Sequence, residues 1–126
     1  MAALEAHLRR VHAPFGPLTD AEWRHLAGTS ARLTPAGRVV PHHDPAIAAP
    51  MLAGPIEDVS LWPAWDALRQ PLLVLRGEAS DVLDAPTAAA MATRPGTRLV
   101  TVPGCGHAPA LLAADQIATV VDFLDA

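Results

Sequence analysis

The chain has 126 residues, 51% of them hydrophobic, with a formal net charge of −4 and a pI near 5.8. That is one domain's worth of length with apolar content enough for a packed core, and the acidic balance argues against a nucleic-acid partner, which requires a basic face. All nine cationic residues are arginines, a usage expected of a GC-rich bacterial genome.

Residues 2–12 set Leu4, Leu8 and Val11 at i, i+4 and i+7, which predicts a short amphipathic helix ended by Pro14, Gly16 and Pro17. Thr19-Asp20-Ala21-Glu22 is a capping-box sequence, so a second helix is expected to about Ala27, with Trp23, Leu26 and Ala27 on one face and Gly28 as its stop. Two short extended pieces, 31–34 and 38–42, should flank a turn at Pro35-Ala36-Gly37. The proline-rich stretch 45–55 reads as a connection, after which Ser60 is placed to cap a helix containing Trp62, Trp65 and Leu68.

Leu72-Leu73-Val74-Leu75 is an unbroken apolar run, the signature of a strand covered on both faces and hence of a parallel sheet. Pro86 can open a helix that Pro95-Gly96 closes before a second strand, Leu99 to Val102. Strand, helix and strand at this spacing make a right-handed βαβ unit. Residues 115–124 place Ile117, Val120, Val121 and Leu124 on one face, so a last helix should pack back on the sheet. The expected class is α/β: a parallel βαβ unit with flanking helices behind a helical N-terminal region, divided as 1–58 and 59–126. Two parallel strands alone leave an apolar strand's backbone groups unpaired, so either the extended pieces at 31–42 join the sheet or further strands come from elsewhere.

Each of the two strands delivers one titratable residue just beyond its carboxyl end, Asp81 and then His107. Taken singly, an Asp there commonly shapes a βα turn, and a loop histidine is commonly a surface residue. Together they lie where open α/β sheets collect their catalytic groups, and Asp81 accepting from the imidazole would be the orienting and base half of a nucleophile-His-Asp relay. The glycines at 104 and 106 give the backbone freedom to place the imidazole closely.

At these residues the chain resembles the C-terminal part of the α/β-hydrolase superfamily. The resemblance rests on Pro71-Leu72-Leu73-Val74-Leu75-Arg76-Gly77-Glu78 leading to an acid, and on Pro103-Gly104-Cys105-Gly106-His107 before a final helix, in the family's order of acid then histidine. It covers residues 60–126, and the first 55 residues look like the tail of a helical lid. It implies a partial α/β-hydrolase fold and a serine-type relay with His107 as general base and Asp81 as acid; Asp84 is the alternative acid, since Asp81 follows Gly77 by one residue more than the commonest spacing. The family's Gly-x-Ser-x-Gly elbow is missing: Ser30, Ser60 and Ser80 are the three serines, and Gly28-Thr29-Ser30-Ala31-Arg32 lacks the second glycine and a preceding strand. In the family the elbow and the oxyanion loop would precede Met1, so this chain alone is expected to be nearly inactive.

Other candidates carry less. His42-His43-Asp44 lacks a spaced further ligand, so no metal is expected, and Gly104-x-Gly106 lacks the rest of a dinucleotide fingerprint, so no cofactor is expected. His7, His12 and His25 are placed on polar helix faces, and Cys105 reads as a small apolar residue. Phe15, Trp23 and Met51 could line an apolar pocket, which suggests a small hydrophobic substrate. The lone cysteine excludes an internal disulfide and fits a reducing compartment. The N-terminus has no apolar signal core, and no window reaches the roughly 18 apolar residues of a membrane span, so a cytoplasmic location is expected. The competing reading is a non-catalytic domain whose open sheet edge pairs with itself or with a partner.

Overall fold

The parallel strand pair predicted from the apolar run at 72–75 forms in a computed structural model that describes residues 1–52, 54, 55 and 58–126, apart from the side chain of Met51. In chain order the elements are α1 (Ala2–Val11), α2 (Asp20–Thr29), β1 (Ala31–Leu33), β2 (Val39–Pro41), α3 (Ala49–Leu52), α4 (Trp62–Ala67), β3 (Leu72–Gly77), α5 (Ala85–Ala92), β4 (Thr97–Val102) and α6 (Ala114–Leu124). Short 3-10 turns occupy Ala13–Phe15 and Pro45–Ala48. The chain divides into two units: Met1–Arg10 with Asp20–Ala67, and Val11–Thr19 with Leu68–Ala126.

In the first unit Leu8, Trp23 and Ala27 are buried. Arg9 ties this helical part together: it bonds Glu5 one turn before it at 2.7 Å and Asp20 at 2.8 Å, and its guanidinium lies 5.6 Å from the centre of the Trp23 ring. Such a cation over an indole shields the ring while keeping its charge in water. α2 does not stop at Gly28; it continues to Thr29, whose hydroxyl donates to the carbonyls of His25 and Leu26, closing the last turn with a side chain instead of a glycine. β1 and β2 form an antiparallel hairpin, Arg32 beside Val40, around a turn in which Gly37 adopts φ +72°. They pair with each other in a sheet of their own and do not extend the parallel one.

The stretch at 45–55 is not simply a connection. Asp44 accepts from the amide of Ala46 at 2.9 Å, starting the 3-10 turn that runs into α3. α4 starts at Trp62, two residues after Ser60, and ends at Ala67, so Leu68 lies beyond it.

In the second unit β3 and β4 pair in parallel from Leu72 beside Thr97 to Gly77 beside Val102. Val74 and Val102 are buried, and Ala88 of α5 is fully so, the small side chain allowing helix and sheet backbones to approach. Asp84 caps α5 by accepting from the amide of Thr87 at 2.6 Å, with Pro86 in the first turn, where its missing N–H costs nothing. α6 departs from expectation. It buries no residue, and Ile117 and Val121 remain 46% exposed, so its apolar face is largely uncovered.

The Asp84 cap sets a pH dependence. Its bonds to Thr87 hold the carboxyl below the ordinary carboxylate range, so its contribution to stability is present above the unfolded carboxyl's pKa and is lost as pH falls through the folded value. Asp84→Asn should keep the cap but remove this acid-side loss, seen as a flatter urea midpoint between about pH 5 and pH 3.

Candidate active site

Two loops meet at the carboxyl end of the parallel pair. Because Gly77 and Val102 stand side by side at the last rung, the acid loop after β3 and the histidine loop after β4 leave the sheet at the same end. Two backbone bonds then continue the ladder beyond the strands: Glu78 N–H to the Val102 carbonyl and Ala79 N–H to the Cys105 carbonyl, each 2.8 Å. The Glu78 carboxylate accepts from the Gly104 amide at 3.2 Å. A Cβ on Gly77 would overlap the carbonyl oxygen of Gly106, so the approach of the two loops requires glycine there.

The acid loop is fixed internally. Arg76 is buried to 9% exposure and donates through Nε to the Leu83 carbonyl at 2.8 Å, satisfying a backbone acceptor across the turn. The Ser80 hydroxyl accepts from the amides of Leu83 at 3.0 Å and Val82 at 3.4 Å, a side-chain substitute for a backbone turn. Asp84 is committed to the cap of α5, whereas Asp81 is exposed and makes no hydrogen bond among the described residues.

The histidine loop is held from the other side by Val11–Thr19. Pro14 O accepts from the Gly106 amide at 2.6 Å, and Phe15 O accepts from the Cys105 thiol at 3.3 Å. Gly16, at φ +101°, passes so close that a Cβ would stand 2.7 Å from the Cys105 sulfur, and a Cβ on Gly106 would stand 2.6 Å from the Pro14 Cβ. The glycine at 106 therefore admits the Pro14 strap, a different use from the freedom to orient the imidazole that the sequence suggests. Cys105 is 2% exposed, and burial pushes its thiol up, with Asp115 adding to the shift. A thiol kept protonated in this way is a packing group and not a nucleophile.

His107 is exposed, and no hydrogen bond joins it to Asp81 among the described residues. The structure thus brings together the loops that carry the two residues, but not their side chains. Sequence reasoning missed the strap, Arg76 and Glu78. The glycines at 16 and 106 were the available signal, but nothing linear connects them across 90 residues.

Trp23 is buried beneath Arg9; Phe15 is half-buried and stacks on His12 at 4.5 Å between ring centres; the side chain of Met51 lies outside the described residues. His12 sits just past the end of α1 and not on a polar helix face, whereas His7 is exposed and bonds Arg10 at 3.1 Å. Among the described residues no group of three His, Cys, Asp or Glu could hold a metal, and no helix is long and apolar enough to cross a membrane.

A parallel βαβ unit with acid and histidine loops at one end is the carboxyl-edge arrangement of an open α/β sheet. No family model matches the chain. It is 35% identical over 130 aligned positions to the 3-hydroxybutyrate-oligomer hydrolase of Cupriavidus necator, a match covering 94% of this chain and 43% of that protein. Its fold is similar to an α/β hydrolase from Novosphingobium aromaticivorans, with a TM-score of 0.82 and 40% identity over 98% of this chain and 45% of the other. It is also similar to E-2-(acetamidomethylene)succinate hydrolase, with a TM-score of 0.71 and 27% identity over 99% of this chain and 45% of that one. The chain belongs to the α/β-hydrolase superfamily and forms a partial version of its fold, spanning less than half the length of these relatives.

Proposed function

We propose that this chain carries the histidine and the acid of a serine-type hydrolase, with the serine supplied by a Gly-x-Ser-x-Gly segment that its 126 residues do not contain. The observation that supports it best is the common exit of the two loops at Gly77 and Val102, tied by the Ala79 to Cys105 bond. In this reading His107 takes the proton from the serine as its oxygen attacks the carbonyl carbon, then returns that proton to the departing alkoxide. Water repeats the cycle on the acyl-enzyme. Asp81 accepts from the imidazole N–H, fixing the tautomer and stabilising the imidazolium. Catalytic hydrogen bonds commonly tighten only with substrate bound, and the exposed positions of both side chains fit that order of events.

The substrate class we favour is an aliphatic carboxylic ester, because the Cupriavidus relative is named for hydrolysing oligomers of 3-hydroxybutyrate. The single buried thiol suits a reducing, cytoplasmic setting. The purified chain should turn over p-nitrophenyl butyrate no faster than its His107→Ala variant. Turnover by the chain alone that His107→Ala abolishes would overturn the assignment of the serine to another segment.

A second reading is favoured by the uncovered apolar face of α6 and by the two-stranded parallel sheet, whose outer edges have no ladder among the described residues. In it the chain associates with itself through these surfaces. A monomer by light scattering at high concentration would count against it.

A further inference from the structure

The β1–β2 hairpin carries a cationic cavity that the relay does not use. The cavity, open to solvent on one side, holds about 350 Å³ and is lined by Arg32, Thr34, Arg38, Val40 and His43 together with two prolines, with no carboxylate in its lining among the described residues. The hairpin register explains the grouping. Arg32 stands opposite Val40, and Thr34 is bonded through its amide to the Arg38 carbonyl at 2.9 Å, so alternation puts all four on one face. Arg32 and Arg38 are diagonal cross-strand neighbours there, a spacing of roughly 7–8 Å within reach of long side chains.

Like charges so placed repel unless something negative lies between them. Among the described residues neither guanidinium forms an ion pair or a side-chain hydrogen bond, although the chain as a whole is acidic at −4. The contrast is with Arg9, Arg76 and Arg94, whose guanidiniums are all bonded to acceptors of the protein. The Thr34 hydroxyl accepts from the Arg38 amide at 3.1 Å and keeps its own O–H to donate. His43 adds a ring nitrogen and Val40 an apolar wall.

We propose that this face of the hairpin is a binding site for the carboxylate of a small aliphatic acid, held between the guanidinium forks of Arg32 and Arg38, with the Thr34 hydroxyl as a further donor and the hydrocarbon part against Val40. Guanidinium and carboxylate match in planar two-pronged geometry, and the volume lies within the range of small-molecule sites. Ester hydrolysis releases a carboxylate, so the ligand class is also the product class of the proposed reaction; only that connection rests on the proposed function, and the site itself does not.

The test needs no catalysis. Butyrate, succinate and inorganic phosphate are titrated separately into the full chain while backbone amide resonances are followed by NMR. Saturable shifts at Thr34, Arg38 and His43 with millimolar carboxylate are expected, weakened at least about tenfold by Arg32→Gln or by Arg38→Gln, the loss expected when one of two charge-assisted forks is removed. Arg24→Gln, which removes an exposed charge outside the cavity, should leave the affinity unchanged. Equal loss in that control, or no saturable shift with either carboxylate, would overturn the site; saturation by phosphate alone would overturn the carboxylate assignment. Because the variants are exposed and distant in sequence from Asp81 and His107, failure here leaves the relay untouched, and an inactive relay leaves the binding result intact.

Discussion

Gly77→Ala should be the most disruptive single-methyl change in the second unit, lowering its stability by about 3–5 kcal/mol, at the high end of single-substitution effects. The added carbon has no flexible side chain to displace; it meets the backbone carbonyls of Gly106 and Cys105. Relief requires the acid and histidine loops to part, which breaks the Ala79 to Cys105 bond and exposes Cys105 and Val102. Gly28→Ala is the comparison, since a Cβ there meets nothing within 4 Å and its φ is not in the left-handed region. In the last turn of α2 that change should stabilise by at most about 0.5–1 kcal/mol, the mid-helix figure. Urea melts followed by Trp fluorescence and by thiol accessibility of Cys105 would separate the two, and a Gly77→Ala melt indistinguishable from the parent would refute the close approach.

In a hydrolase that contains this chain together with the serine segment, His107→Ala should lower kcat by about 10³-fold or more, and Asp81→Asn by about 10²- to 10⁴-fold, with KM little changed in both. Asp84→Asn is the discriminating control. Its carboxylate is spent on the amide of Thr87, so the amide side chain should preserve the cap and leave kcat near the parent value. A loss at Asp84 that matches the loss expected at Asp81 would move the acid three residues along the loop. The double variant His107→Ala/Asp81→Asn should be no worse than His107→Ala alone, because groups that act as one unit are not additive.

What the sequence made legible follows from the range over which each signal acts. The apolar run at 72–75, Pro86 near the start of α5 and Pro95-Gly96 after it are local, and the βαβ unit forms where they predict. The turn at Pro35-Ala36-Gly37 is equally local, and its hairpin forms with Gly37 in the left-handed region. Proline at 45 and 50 misleads because it is compatible with the first turn of a helix as well as with an extended connection. Thr29 ends α2 in place of Gly28 because a hydroxyl bonding back to its own turn can do the work of a left-handed glycine. The expectation that α6 packs back on the sheet follows correctly from its periodicity, but periodicity says only that a face is apolar, not what covers it. For the candidate site, the spacing from each strand end placed Asp81 and His107 on loops that the structure puts at one end of the sheet. The partners that hold those loops, Pro14 and Phe15 above all, lie too far away in sequence for any pattern to reveal.

The Val11–Thr19 strap also governs when the histidine loop can be completed. Its carbonyl at Phe15 and the Cys105 thiol that donates to it stand 90 positions apart in sequence, and the Pro14 carbonyl and Gly106 amide are about as far apart. Closing so long a loop costs entropy before any contact repays it, so this step belongs late in folding. The β1–β2 hairpin closes over a short loop, but the loop bearing His107 takes its shape only once two segments 90 positions apart in sequence have found each other.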